Sequence, residues 1–299
     1  MKKFKLFITL LYIFSSINLT VKAIDNTSYD TNMKRDILIL MMSYPEYVVD
    51  VNKDDDGSVY IIMKSGKKIL YDDKIKKNFE QKLANPDLQD TLEQIYPLNS
   101  VNDLMGKNFD PGRFRNYELL REVYGSSSKQ VEKNLVNVAA GGSFQFNKNN
   151  KASHSLKKAM NELQVLAGQN KKIAGCIYPC SGTYNYRTIA GTNRLSPHSF
   201  GNAIDLARDK RDYWKWAGED QGRQRLQSYP NVIPEVFEKN NFIWGGKWNH
   251  FDILHYEYRP EIILKSRYFG NCNNTKLWYE GAPIDDNEVR RFIEKIEKI

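Results

Sequence analysis

The chain has 299 residues and a formal net charge of +8, with 44 Lys and Arg against 36 Asp and Glu. This length allows one domain of ordinary size plus extra material. No dense block of Lys and Arg with interleaved aromatic residues occurs, so the composition argues against nucleic acid as a partner. A mildly basic surface would suit an anionic polymer, as it would suit many other partners.

The first 23 residues have the layout of a secretory signal peptide. Three lysines precede an apolar run from Leu6 to about Ile17, and the segment ends on the small residue Ala23. The apolar run is short for a membrane span, although an uncleaved N-terminal anchor remains an alternative. Cleavage would remove four lysines and no acidic residue, so the net charge would fall to +4. We therefore expect an exported protein, periplasmic or extracellular, with no stable membrane span after cleavage.

Residues 24–96 form a polar accessory segment, and residues 48–71 within it predict a β-hairpin. Alternating apolar residues flank a DDDG turn and an SGKK turn. The three aspartates at 54–56 lack the spaced acids and the distal Glu of a calcium loop, so we interpret them as a solvated turn.

Amphipathic helices are predicted in the middle and at the end of the chain. Residues 116–125 have apolar side chains at helical spacing and end on glycine. Residues 126–140 restart a helix from a serine N-cap, with Val138 among the apolar residues of one face. Residues 154–168 predict a third helix, and short apolar runs after it indicate strands and loops. Residues 269–299 form a tail that contains an amphipathic helix.

The chain has three cysteines, Cys176, Cys180 and Cys272. Export would permit a disulfide, and Cys176 could pair with Cys180, or either of them with Cys272. A zinc site built from all three is a competing interpretation, although a single C-x3-C lacks the paired spacing of structural zinc modules. The sequence leaves the pairing open.

Two short segments carry the residue types that metal-assisted hydrolysis requires. SPHSFGNAIDL places His198 seven positions before Asp205, and GGKWNHFDILHYEY places Asp252 three positions before His255. Such chemistry needs imidazoles and carboxylates that converge on one ion, an open position for water, and a base that takes a proton from it. These four residues are therefore candidates for a catalytic metal site.

The setting of Asp205 favours this interpretation. Asp205 lies between Ile204 and Leu206, where a buried and unpaired carboxylate would be costly. A metal ion or a cationic partner removes that cost. Spacing alone does not establish that the four side chains meet, so the metal site remains a hypothesis at this point.

The same residues resemble the hallmark of peptidase family M15, which comprises D-alanyl-D-alanine carboxypeptidases and dipeptidases and L-alanyl-D-glutamate endopeptidases. The pattern is S-x-H-x-x-G-x-A-x-D followed by acid-x-x-H. Every fixed position is present: Ser196, His198, Gly201, Ala203, Asp205, Asp252 and His255. The resemblance extends upstream through residues 110–125 and 182–196, and it covers about residues 97–268. The segments 24–96 and 269–299 lie outside it.

The resemblance implies a Zn²⁺ ion held by His198, Asp205 and His255, with Asp252 as the general base. It also implies an α+β fold of the hedgehog/DD-peptidase type, in which a small antiparallel sheet carries the zinc site and helices pack on it. The family has Glu or Asp at the position of the base, so Asp252 fits the pattern.

Further residues near these segments are candidates for substrate contacts. Arg187 matches the family arginine that contacts the substrate carbonyl or carboxylate, and its planar guanidinium suits an oxyanion. Arg194 is its rival in the same segment. Ser196 resembles a family residue that contacts substrate, but it could equally serve the backbone of its turn. His250 could replace one of the histidine ligands, although the pattern assigns that role to others.

The expected function is zinc-dependent hydrolysis of a peptide bond in peptidoglycan stem peptides. We expect a D-Ala-D-Ala carboxypeptidase, because a free carboxylate would give Arg187 a partner. An L-Ala-D-Glu endopeptidase, a peptidase for foreign D-peptides, and a non-catalytic module that binds cell wall or zinc remain alternatives. Asp252 argues against a binding module, since binding needs no general base. The sequence leaves the oligomeric state open.

Overall fold

The computed structural model of the chain describes residues 28–139, 141–271 and 276–299. The predicted signal peptide, residues 1–23, and Cys272 lie outside this part of the chain. The predicted α+β class is confirmed, since the described residues combine helices with small antiparallel sheets. Over the same residues, none of the helices has both the length and the apolar character that crossing a bilayer requires.

The N-terminal segment contains a buried helix and a three-stranded antiparallel sheet. Residues 28–43 are helical (α1), and the apolar run at 37–41 is completely buried. Strands β1 (Val48–Lys53), β2 (Val59–Met63) and β3 (Lys68–Leu70) follow and pair in chain order. The structure therefore has three strands where the alternation predicts a hairpin, because residues after the SGKK turn pair back onto β2.

Ten further helices follow among the described residues. The bounds are α2 Phe79–Ala84, α3 Leu88–Leu92, α4 Tyr117–Tyr124, α5 Ser128–Asn134, α6 Ala152–Gln169, α7 Lys171–Ile177, α8 Glu219–Ser228, α9 Val232–Lys239, α10 Pro260–Phe269 and α11 Asn287–Ile296. Helices α4, α6 and α11 lie where the apolar periodicity predicts them. Asp286 caps α11 by accepting a hydrogen bond from the backbone of Glu288.

One helix prediction is wrong in its second half. Helix α5 ends at Asn134, and the predicted helix does not continue to residue 140. Instead β4 (Leu135–Ala139) pairs with β5 (Ser143–Asn147) in an antiparallel ladder. Val138, which lies in β4, is buried. Pairing with a partner strand and burial decide the conformation of such a short segment against its local helical period.

A second three-stranded sheet positions the candidate site. Strands β6 (Ala203–Asp205), β7 (Phe242–Trp244) and β8 (His255–Tyr258) pair antiparallel in the order β6-β8-β7. Helix α9 packs on one face, where the ring of Phe237 stacks on Tyr256 at 4.1 Å. Because side chains alternate along a strand, the residues on either side of Tyr256 point to the opposite face.

The buried apolar residues form one continuous core. This core includes residues of α1 and of the N-terminal sheet, residues of the β6-β8-β7 sheet, and Phe292 and Ile296 of α11. The accessory segment and the tail therefore pack against the region that the resemblance covers.

We predict that Gly201→Ala destabilises the fold by about 1–3 kcal/mol. Gly201 has a φ of +66°, and a Cβ there would lie 2.6 Å from Leu135 Cδ2 and 3.3 Å from the backbone nitrogen of Asn147. Gly168→Ala is the matched control, since Gly168 lies in α6 with open space around it, and we expect a gain of up to about 1 kcal/mol. Chemical denaturation measures both. Equal stability of Gly201→Ala and wild type would contradict the strain argument.

Candidate active site

The register of two strands brings the site residues together. Asp205 at the end of β6 lies directly opposite His255 at the start of β8, so both side chains point to the same face of the sheet. His198 reaches this face from the turn Pro197–Phe200, which precedes β6. Gly201, which lies between this turn and β6, adopts the left-handed conformation that favours glycine.

The three side chains offer one donor atom each to a common point. His198 Nε2 lies 3.3 Å from His255 Nδ1 and 3.3 Å from Asp205 Oδ1, and His255 Nδ1 lies 2.8 Å from Asp205 Oδ1. Ligands about 2.0–2.1 Å from a tetrahedral zinc ion are about 3.3 Å apart. Two of the three separations match this value and the third is slightly shorter. The donor set and its spacing therefore fit Zn²⁺.

Hydrogen bonds fix both imidazole rings from behind. His198 Nδ1 donates to the carbonyl oxygen of Thr183 at 2.5 Å, and His255 Nε2 donates to Glu257 Oε1 at 3.0 Å. Each ring is thereby anchored through one nitrogen while the other nitrogen faces Asp205. A metal-binding histidine usually has such a partner behind it.

The imidazoles and carboxylates of the site shift one another's pKa values. Burial opposes the charge on His255, but hydrogen bonds to Asp205 and Glu257 outweigh burial and raise the pKa of His255 to about 10. Burial likewise opposes the ionised form of Asp205, yet hydrogen bonds from His198 and His255 hold the pKa of Asp205 well below its usual range. The carboxylates of Asp205 and Glu257 thus favour a positive charge between them.

Asp252 lines the same cleft from the loop before β8. Its backbone N–H donates to the carbonyl of Gly245, and its carbonyl accepts from the N–H of His255. A Cβ on Gly245 would overlap the Asp252 carbonyl, so this glycine allows two backbone segments to approach closely. Burial, which His255 partly opposes and Asp205 reinforces, raises the pKa of Asp252 to about 7. Such a carboxyl group can accept and release a proton near neutral pH.

The cleft above the donor set has a volume of about 440 Å³ and a basic, aromatic wall. Its cationic side chains are Arg113, Arg115, Arg187, Arg208 and Lys215. Its aromatic side chains include Tyr213, Trp214, Trp216 and Trp248. Trp216 is 59 % exposed, and the guanidinium of Arg208 lies 4.7 Å from its ring centroid. The wall suits an anionic ligand that carries apolar groups.

The turn that carries His198 also positions Arg187 and Ser196. The carbonyl of Arg187 accepts from the N–H of Ser196 at 2.9 Å and from the hydroxyl of Ser199 at 2.7 Å. The exposed Arg187 side chain lines the cleft. Ser196 is buried at the cleft wall, and its carbonyl accepts from the N–H of Ser199. The backbone hydrogen bonds of Ser196 therefore stabilise the turn.

The rival residues lie elsewhere or have other partners. Arg194 donates to the carbonyl of Leu83 at 2.9 Å and does not line the cleft. His250 lines the cleft, but its Nδ1 lies 2.5 Å from the carboxylate of Asp110, outside the donor group. Cys176 and Cys180 are both free thiols in the described part of the chain, so the local disulfide is absent.

A second acidic group, Asp72, Asp73 and Asp87, lies near the N-terminal sheet. Lys77 Nζ lies 2.7 Å from Asp73 and 2.9 Å from Asp87, with Asp90 as a further partner. The lysine already supplies the positive charge that these carboxylates need.

Sequence reasoning did not assign Glu257, Arg115 or Arg113 to the site. Arg113 and Arg115 lie in the upstream stretch that the resemblance includes, but more than 80 positions before His198. No spacing rule links them to the site. The alternation of β8 is the one local signal for Glu257, since residues two apart on a strand share a face.

Two imidazoles and a carboxylate that converge at the floor of an open cleft define a candidate mononuclear metal centre. Residues 190–258 match a family described as D-alanyl-D-alanine carboxypeptidase, and the matched stretch contains the three donors and Asp252. The match confirms the predicted resemblance to peptidase family M15 over these residues and indicates a peptidase. No curated protein and no solved structure matches the chain significantly.

We predict that His198→Ala weakens zinc binding more than 100-fold, a larger loss than the roughly 10–100-fold that removal of an outer partner causes. His198 Nε2 faces both of the other donor atoms, so its removal leaves only two ligands. Competition with a chromogenic chelator measures the affinity. His250→Ala removes an imidazole from the same cleft and should keep the affinity of wild type. Equal losses in the two variants would contradict the assigned donor set.

Proposed function

We propose that the protein is an exported zinc-dependent peptidase that hydrolyses a peptide bond in peptidoglycan stem peptides. The expected substrate bond is the terminal D-Ala-D-Ala bond. The observation that carries the proposal is the position of a half-buried carboxyl group, Asp252, with its raised pKa, in the cleft that also contains the three donors. The match of residues 190–258 to a family described as D-alanyl-D-alanine carboxypeptidase supports a cell-wall peptide as substrate.

We also infer that the fold is of the hedgehog/DD-peptidase type. The antiparallel β6-β8-β7 sheet, with donors on one face and helix α9 on the other, supports this assignment. Export is inferred from the signal-like layout of residues 1–23, which lie outside the described residues.

His198, Asp205 and His255 would hold the zinc ion. When bound, zinc supplies a Lewis acid that acidifies water and polarises the scissile carbonyl. Asp252 accepts a proton from the attacking water and returns it to the leaving amine, as its raised pKa permits.

Arg187 is the proposed anchor for the substrate carboxylate. Its backbone is fixed by the same turn that holds His198, and its side chain lines the cleft. A guanidinium presents parallel donors that match a carboxylate. This anchor favours a carboxypeptidase, whose substrate ends in a free carboxylate next to the scissile bond, over an L-Ala-D-Glu endopeptidase.

We predict that Asp252→Asn lowers the turnover of a D-Ala-D-Ala-terminated stem peptide by about 10²–10⁴-fold, because an amide cannot accept the proton. Zinc binding should persist, since Asp252 is not one of the three donors. Mass spectrometry of defined muropeptides, with residues 24–299 as the enzyme, measures the loss of one D-Ala in the presence of zinc and of chelator. Cleavage after L-Ala would establish the endopeptidase alternative. No cleavage by zinc-loaded protein would favour a binding module.

We predict that Arg187→Gln lowers kcat/KM for a substrate with a free C-terminal carboxylate by about 10–100-fold, the typical effect of one charged hydrogen bond. The same substrate with an amidated C-terminus should be cleaved slowly by both wild type and variant. Arg194→Gln is the matched control, because Arg194 binds a backbone carbonyl away from the cleft. An Arg187→Gln variant with the kinetics of wild type would contradict the anchor.

A further inference from the structure

A completely buried carboxylate lies directly behind one of the proposed metal ligands. Glu257 follows His255 by two positions in β8, and its Oε1 accepts the hydrogen bond from His255 Nε2 at 3.0 Å. Arg115 Nε donates to Glu257 Oε2 at 2.9 Å, and Arg115 Nη2 pairs with Oε1. Arg259 Nη1 lies 3.6 Å from Glu257 Oε2. The carboxylate is thus held between two guanidinium groups and one imidazole.

The contact with Glu257 determines which nitrogen of His255 faces the other two donors. The bidentate contact with the guanidinium of Arg115 binds Glu257 as a carboxylate. An ionised carboxylate accepts hydrogen bonds and donates none. His255 Nε2 must therefore carry the proton. In the neutral ring, the lone pair is then on Nδ1, which faces His198 and Asp205.

We propose that Glu257, fixed by Arg115, is a positioning residue that holds His255 in the orientation and tautomer in which Nδ1 binds the metal. This inference rests on the metal site of the proposed function. Arg115 and Glu257 are 142 positions apart in the chain, so the tertiary fold builds this support. A carboxylate behind a histidine ligand also increases the donor strength of the ring.

A purely structural role explains the arrangement less well. A buried ion pair is often no more stabilising than well-packed apolar residues of the same volume. The fold has such apolar packing on the other face of β8, around Tyr256. The charged group lies on the face of the candidate ligands, where its hydrogen bond selects the free nitrogen of His255.

The chain offers a matched control in the same charged region. Glu261 is also buried, with 1 % exposure. Its carboxylate accepts from Arg259 Nε at 2.5 Å and from the hydroxyl of Tyr44 at 2.6 Å. It touches none of the three donors. Glu261→Gln therefore removes a buried charge of the same kind without affecting a ligand directly.

The test compares zinc affinity in Glu257→Gln and Glu261→Gln. Chelator competition should give about 10–100-fold weaker binding for Glu257→Gln and a change within about threefold for Glu261→Gln, because it has no partner in the donor set. The visible absorption of bound Co²⁺, which reports ligand geometry, should change only in Glu257→Gln. Thermal unfolding of the metal-free proteins measures the structural cost of each substitution.

Arg115→Lys tests the same support through a second residue. It keeps the positive charge but loses the bidentate contact to Glu257, so zinc binding should weaken by a smaller factor than in Glu257→Gln. If Glu257→Gln does not fold, the zinc affinity of Arg115→Lys becomes the deciding measurement.

Equal weakening in Glu257→Gln and Glu261→Gln, or wild-type affinity in Glu257→Gln, would overturn the inference and leave the proposed function intact. Failure of wild type to bind zinc would overturn both together.

Discussion

The candidate site depends on the pairing register of two short strands. Asp205 and His255 face each other across β6 and β8, and a shift of one residue would turn both side chains to the opposite face of the sheet. The next same-face pair is Ala203 and Glu257. The small side chain of Ala203 leaves space beside β6 for the larger Glu257. The same register therefore sets the donor atoms and the carboxylate that supports one of them.

The electrostatics of the site favour a positive charge beside the carboxylates of Asp205 and Glu257. His255 lies between the carboxylates of Asp205 and Glu257, and its hydrogen bonds to them raise the pKa of His255 to about 10. A metal at the donor atoms would replace the proton on Nδ1 but not the proton on Nε2, because the latter is bonded to Glu257. The two carboxylates thus have different roles, since Asp205 shares the metal position and Glu257 lies behind the ring.

The sequence predicts well what is encoded within short stretches. The periodicity of residues 116–125 and 154–168 predicts α4 and α6, and the M15 pattern predicts which histidines converge. Prediction from the sequence fails where the interacting residues are far apart in the chain. The predicted helix at 126–140 ends early because a second strand pairs with its latter half. The support of His255 by Arg115 joins residues far apart in the chain, so no local pattern reveals it. The sequence does not reveal helix α1, because the polar average composition of residues 24–96 hides the short apolar run at 37–41.

The accessory segment contributes a hydrogen bond to the buried charged residues near the candidate site. Tyr44, which follows α1, donates to Glu261, and Glu261 pairs with Arg259. Arg259 in turn lies beside the carboxylate of Glu257. A chain that started at residue 97 would lose the Tyr44 hydroxyl and the apolar residues of α1 from the common core. It would thereby leave Glu261 with fewer donors in a buried position, where each missing hydrogen bond costs free energy. Residues 28–96 lie outside the region of M15 resemblance, yet they share one buried core with it.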